Sequence, residues 1–197
     1  MIPIFLAVVL TILLTPGPTN TLLASAGAQL GMRRACPLIF IEALGYLSAI
    51  SFWGYFTGAL AQLFPSLPPI IQLMSAFYIL YLALKLWRSS QSHLALQQGI
   101  RQHEVFLATL LNPKALILAT VVFPIQTWQD MAHYSLYTGL FLMLLVPIAS
   151  FWIFLGSLLK SSEGRWFNQR RLQKVAAIVL FSFAIPLSYS AATALQN

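Results

Sequence analysis

The chain has 197 residues, 59% of them hydrophobic and 8% charged, with a mean hydropathy of +0.80; soluble domains carry roughly 25% charged residues, so the composition excludes one and describes an integral membrane protein. The formal net charge of +7 would suit nucleic acid, but the basic residues are scattered through short loops and form no stripe with interleaved aromatics, which excludes that partner too. A single cysteine, Cys36, excludes an internal disulfide and any CxxC redox or zinc motif, and reads as a small buried apolar side chain.

Six segments approach the ~20 residues that a ~30 Å hydrocarbon core requires. They are Ile2 to Ala26, Pro37 to Leu63, Pro68 to Trp87, Val105 to Trp128, Ser135 to Leu159 and Val175 to Leu195. The expectation is an all-α integral membrane protein, a single transmembrane domain over residues 1–197 with six transmembrane helices. Met1-Ile2-Pro3 lacks a positively charged region before the first apolar run, so that run reads as a retained span.

The first span is interrupted by Leu14-Thr15-Pro16-Gly17-Pro18-Thr19-Asn20. Proline has no backbone N–H and clashes with the carbonyl four residues back, so the segment holds two half-helices whose end groups lack intrahelical partners. In hydrocarbon such groups are tolerated only against protein or a water-filled cavity, which makes the break a candidate ligand site.

Glu42, in span two, lies about 7 Å beyond Pro37. An intramembrane carboxylate is costly and marks ion or proton pathways. Two plainer roles compete: capping near the headgroups, or a static ion pair with a lysine in span four. Gly54 and Gly58 in the same span, and Gly27 with Gly31 earlier, are small-xxx-small patterns serving either helix packing within the chain or a homodimer.

The stretch from Arg88 to Glu104 is polar and reads as a cytoplasmic linker between halves spanning roughly 1–90 and 104–197. Lysine and arginine accumulate in cytoplasmic loops. Here Arg33 and Arg34 follow span one, Lys85, Arg88 and Arg101 flank the linker after span three, and Lys160, Arg165, Arg170, Arg171 and Lys174 follow span five. Both termini are therefore expected outside the cytoplasm.

The exception is Lys114, in Leu110-Leu111-Asn112-Pro113-Lys114-Ala115 of span four, about 13 Å from the cytoplasmic face and too deep to snorkel easily. Asn112 followed by Pro113 is a helix-start signature, an N-cap side chain with proline in the first helical position. Span four is thus expected to break as span one does. A lysine in the first turn of a half-helix faces the positive end of the dipole, so an anion is expected to balance it, either Glu42 or a substrate carboxylate.

The two breaks lie about half the chain apart, each in the first span of a three-span half. Halves of three spans insert in opposite senses, so the arrangement is two inverted three-helix repeats, the plan of transporters whose substrate site lies between discontinuous helices. A zwitterion there would find a positive locus in the half-helix N-termini near Thr19 and Asn112 with Lys114. It would find acceptors for its ammonium in Glu42 and the carbonyls before Pro16. Asn20, Thr19 and Tyr46 are neighbouring hydrogen-bonding candidates, and Glu42 is a candidate proton carrier. Trp53, Trp87, Trp128 and Trp152 read as interfacial anchors, and Pro147 and Pro186 as bends in spans five and six.

Other classes fit less well. An intramembrane enzyme needs a nucleophile with a base, yet His93, His103 and His133 fall in linkers or at span edges, so no catalytic residue, cofactor or metal site is expected. A cation or metal-ion exporter or channel is the nearer alternative, although hard-cation sites gather several carboxylates.

The ordered set of Thr15-Pro16-Gly17-Pro18, Gly31 with Arg33-Arg34, Gly45, and Leu111-Asn112-Pro113-Lys114-Ala115 resembles the LysE/RhtB family of amino-acid exporters over essentially the whole chain. The resemblance implies proton-driven export of an amino acid or related small metabolite across the bacterial cytoplasmic membrane, without ATP. It maps the family's proline-glycine-proline element onto Pro16, Gly17 and Pro18, and its asparagine-proline-lysine element onto Asn112, Pro113 and Lys114. Two departures stand out: Ile125 separates Pro124 from Gln126 where relatives have a Pro-Gln pair, and Glu42 precedes Gly45 and Tyr46 where a carboxylate is not general.

Overall fold

A computed structural model describes residues 2–63, 67–89, 100–161 and 169–196. The described residues are almost wholly helical: α1 (Ile2–Leu14), α2 (Pro18–Leu30), a single turn α3 (Met32–Ala35), α4 (Pro37–Leu63), α5 (Leu67–Ser89), α6 (Gln102–Leu110), α7 (Pro113–Ile117), α8 (Met131–Ser161) and α9 (Gln169–Gln196). Most of the polar linker (90–99), Arg165 and the loop at 64–66 lie outside the described residues.

Among the described residues, two stretches are long and apolar enough to cross a membrane, Met32–Tyr55 and Met131–Leu158. Two bent pairs make four: α1 with α2, bent by 57°, and α6 with the run Pro113–Val122, bent by 43°. Both bends fall where the prolines place them. Both α5 and α9 contain residues whose side chains lie outside the described ones; among the described residues α9 contributes the shorter apolar stretch Lys174–Pro186. These two helices carry basic residues at one end, Lys85 and Arg88 in α5 and Lys174 in α9, and pack against each other.

Large apolar side chains lie on the outside as well as in the interior, and several polar side chains are buried. Phe40, Phe77 and Val121 are more than 60% exposed, while Thr19, Asn20, Glu42, Thr109 and Asn112 are each 5% exposed or less. Apolar side chains outside and polar ones inside suit a hydrocarbon surround.

The interior holds two apolar clusters. One joins Leu22, Leu23 and Ala26 of α2 to Ile79 and Leu82 of α5, Val105 and Ala108 of α6, Ile153 of α8 and Leu180 of α9. The other joins Phe5, Val9 and Leu13 of α1 to Tyr46 and Ile50 of α4, Ala115 and Leu118, and Phe141 of α8. The helix breaks lie between them.

Small residues bring the backbones together. Gly27 of α2 and Gly156 of α8 each face the other helix's main chain, and Trp128 covers Gly54, so both surfaces are used within the chain. Gly31 does something different from the packing expected of it: with φ of 81° it ends α2, its N–H bonded to the Gly27 carbonyl, a conformation that favours glycine. Gly58 lies in α4, its surroundings beyond the described side chains.

At the start of α8, Asp130 accepts hydrogen bonds from His133 and from the Ala132 amide at 2.7 Å. These bonds, that from His133 first, hold its carboxyl below the usual carboxylate range. A depressed value in the folded state adds stability that is complete above the unfolded value and is lost as pH falls through the folded one. The thermal midpoint of the wild type should therefore fall on acidification relative to Asp130→Asn, whose own cap does not titrate; parallel curves for the two proteins would refute this.

Candidate functional site

Proline chemistry dictates the local wiring of the first break. In an uninterrupted helix residue 16 would donate to the Ile12 carbonyl, but Pro16 has no N–H. The Lys114 ammonium takes that carbonyl instead, with Nζ 2.9 Å from the Ile12 oxygen, and also donates to the Thr15 carbonyl. Asn20 Nδ2 donates to Leu13 O at 2.8 Å and Thr15 O at 3.0 Å. The carbonyls orphaned at the end of α1 are thus received by side chains from α2 and from the second break.

Gly17 is extended, with φ of −170°, and Pro18 occupies the first turn of α2. Gly17 matters for space: a Cβ there would lie 3.0 Å from both Cε and Nζ of Lys114.

The second break is built as the Asn112-Pro113 signature requires. Asn112 is extended and its Oδ1 accepts the Lys114 amide at 3.0 Å, capping α7. Its Nδ2 donates to Thr19 Oγ1 at 3.0 Å and to the Tyr46 hydroxyl at 3.3 Å. Thr109 Oγ1 reaches Thr19 Oγ1 at 3.4 Å while donating to Val105 O at 2.7 Å. One amide therefore ties the start of α2, the middle of α4 and the start of α7 together. Gly45 permits the crossing of α4 over α6, since a Cβ would lie 2.8 Å from Thr109 Cβ.

Glu42, one turn before Tyr46, is 1% exposed, and its Oε2 has no hydrogen-bond partner. Among the described residues it forms no direct ion pair, although it lies close enough to Lys114 for the two charges to interact. The expected anion at Lys114 is therefore replaced in direct contact by the carbonyl end of α1, the negative pole of that helix. Pro16, Gly17, Pro18, Thr19, Asn20, Gly45, Tyr46, Asn112, Pro113 and Lys114 converge on one region, with Glu42 beside it.

Sequence reasoning overlooked two features. Glu104, at the third position of α6, is 4% exposed, pairs with Lys85 of α5 and accepts the Arg101 amide at 3.0 Å. Its place three residues after a helix start was the available signal. The second is an aromatic wall. After α7 the chain makes a π-turn over Leu118–Val122, closed by Phe123 N to Leu118 O at 2.8 Å, and a 3₁₀ turn over Ile125–Trp128. Phe123 stacks on Trp128 at 5.7 Å, and Phe141 lies 6.0 Å from Phe123 and 5.6 Å from Tyr46. Trp128 packs on Gly54 and lines a cavity of about 710 Å³ with Tyr55 and Pro124. Phe123 and Trp128 themselves line the cavity, and Phe141 links Phe123 to Tyr46 of the Asn112 hub. Among the described residues no group of three or more His, Cys, Asp or Glu side chains gathers as a metal ion would need.

A family model described as LysE type translocator matches residues 10–191. Neither a curated protein nor a solved structure matches the chain significantly.

Proposed function

The chain belongs to the LysE type translocator family, and from that premise we propose that it exports amino acids or related small zwitterions in exchange for protons. The family, whose members are transporters, and the apolar helices support a multi-pass membrane exporter of amino acids or similar molecules.

In this reading the six spans are α1 with α2, α4, α5, α6 with α7 and the π-turn, α8, and α9. They form one domain of two inverted three-helix halves in the bacterial cytoplasmic membrane, with both termini outside the cytoplasm. The substrate carboxylate lies against the N-terminal end of α2, near Thr19 and Asn112, where helix-end amides favour an anion. Its ammonium faces Glu42, whose Oε2 is buried without a hydrogen-bond partner. Tyr46 and Asn20 shape the region, and the prolines at positions 16, 18 and 113 with Gly17 hold the breaks open.

The observation that carries the reading is the Asn112 side chain, which bridges the two breaks at the level between the apolar clusters. Inverted-repeat transporters place their sites at such a junction of discontinuous helices. The test is counterflow of a labelled amino-acid panel in proteoliposomes, with and without an imposed proton gradient. Saturable exchange of at least one amino acid, accelerated by the gradient, is expected. Folded protein that exchanges none of them but conducts cations would replace this reading with the cation exporter or channel.

A further inference from the structure

The Lys114 side chain presents a geometry that a substrate receptor does not explain. Its ammonium lies on the carbonyls of Ile12 and Thr15, beside Leu13 O, which Asn20 occupies. Pro16 removes the helical donor of the Ile12 carbonyl, and the Leu13 and Thr15 carbonyls lose theirs because α1 ends there. Carbonyls freed at the C-terminal end of a half-helix are the groups with which discontinuous-helix transporters hold a coupling sodium ion or proton. The ammonium therefore stands where a monovalent cation would sit, tethered to the other half of the protein. Gly17 leaves just the space for its terminal atoms, a Cβ there coming within 3.0 Å of Cε and Nζ. The tether is short and fixed at its base, because the Lys114 amide is held by Asn112 Oδ1 at 3.0 Å.

We infer that the carbonyl end of α1 is the coupling-cation site of this protein and that the Lys114 ammonium is its occupant, carrying the proton that is exchanged for substrate. The inference rests on the transporter reading above and assigns its energy coupling.

The charges around Lys114 make the exchange obligatory. Neither α1 nor α2 contains a titratable residue. From α4 the group is faced by Glu42, with Tyr46 one turn on. With Glu42 ionised, a single positive charge in the region is balanced, and it belongs either to Lys114 or to the substrate ammonium. When a zwitterion enters from the inner side, its ammonium takes up the Glu42 charge and Lys114 gives its proton to inner water, leaving a neutral amine. After release outside, the amine takes a proton from outer water, and the ammonium returns to the Ile12 and Thr15 carbonyls. One proton moves inward for each substrate moved outward, and no other reactant is consumed. A lysine can do this because its ammonium can lose a proton when buried; an arginine guanidinium cannot.

The test compares wild type, Lys114→Arg and Lys114→Ala in proteoliposomes, measuring exchange without a gradient and accumulation with one. It also compares the thermal midpoint of each detergent-solubilised protein in sodium chloride and in choline chloride. Wild type should accumulate substrate under the gradient. Lys114→Arg should retain slowed exchange while the acceleration by the gradient disappears, because its charge is permanent. Lys114→Ala should be stabilised by sodium relative to choline where wild type is not, since its carbonyls are open to a small cation. Gradient-driven accumulation by either variant would overturn the inference, as would exchange lost in alanine and fully restored, with its gradient response, in arginine. If the alanine variant does not fold, the gradient response of the arginine variant alone decides between these outcomes. Absence of exchange in wild type would count against the transporter reading, while the sodium response of Lys114→Ala still decides whether the carbonyls form a cation site.

Discussion

Gly156→Ala is expected to remove most of the folded protein from the membrane, although it adds one methyl group to a helix. A Cβ at Gly156 would lie 1.9 Å from the Ala24 carbonyl oxygen, and one at Gly27 would lie 2.1 Å from the Ile153 carbonyl oxygen. Each glycine thus receives the other helix's backbone, and backbone cannot swing aside as a side-chain tip can. Relief requires α2 and α8 to separate along the whole crossing. That separation opens the cluster in which Leu22, Ala26 and Ile153 are buried. Overpacking typically costs about 1–3 kcal/mol, and a clash of this depth against main chain belongs at the upper end or beyond. Gly139 in α8 is the internal control, with nothing within 4 Å of its Cβ position. Gly139→Ala should stabilise slightly, by up to about 1 kcal/mol, because alanine loses less entropy than glycine in a helix. The measurement is the thermal midpoint of each variant after solubilisation in mild detergent. Equal midpoints for the two alanine variants would show that the α2–α8 crossing is not locked by these contacts.

The parts of the fold that were legible in the sequence are those where chemistry is local. Proline at 16, 18 and 113 removes donors regardless of surroundings, and Asn112 can cap only the helix that begins beside it, so both breaks could be placed to the residue. Lys114 was less legible. Its depth and dipole called for an anion, but the groups it touches are carbonyls about a hundred residues earlier in the chain, made available where α1 ends at Pro16. No spacing rule announces such a meeting. Gly31 was misread for a related reason: a glycine four residues from another looks like a packing surface until its φ of 81° shows a helix stop. The Phe123–Trp128–Phe141 wall was invisible because it depends on the π-turn and the 3₁₀ turn redirecting the chain, and aromatic residues near a span end read equally well as anchors. Glu104 was lost in a stretch read as linker, where only its pairing with Lys85 reveals a buried charge.

Asn112 is where the two breaks meet, and its substitutions should separate folding from transport. Asn112→Ala deletes the acceptor for the Lys114 amide and leaves the Thr19 and Tyr46 hydroxyls buried without their amide donor. Losing an N-cap costs about 1 kcal/mol, and each buried polar group left unpaired adds about 1–3 kcal/mol. The alanine variant should therefore be poorly folded and uninformative about transport. Asn112→Asp is the sharper probe. It matches asparagine in shape, its carboxylate can accept the Lys114 amide, and the Thr19 and Tyr46 hydroxyls can rotate to donate to it. What changes is charge: a second carboxylate now stands near Glu42, at the place where the substrate carboxylate is proposed to lie. Folding should survive at neutral pH, while half-saturation for exchange rises about tenfold or more, equivalent to at least ~1.4 kcal/mol of lost binding. Lowering the pH far enough to protonate the new carboxylate should recover part of that loss. An aspartate variant that exchanges substrate as well as wild type would confine Asn112 to capping α7 and move the carboxylate site away from the junction of the two breaks.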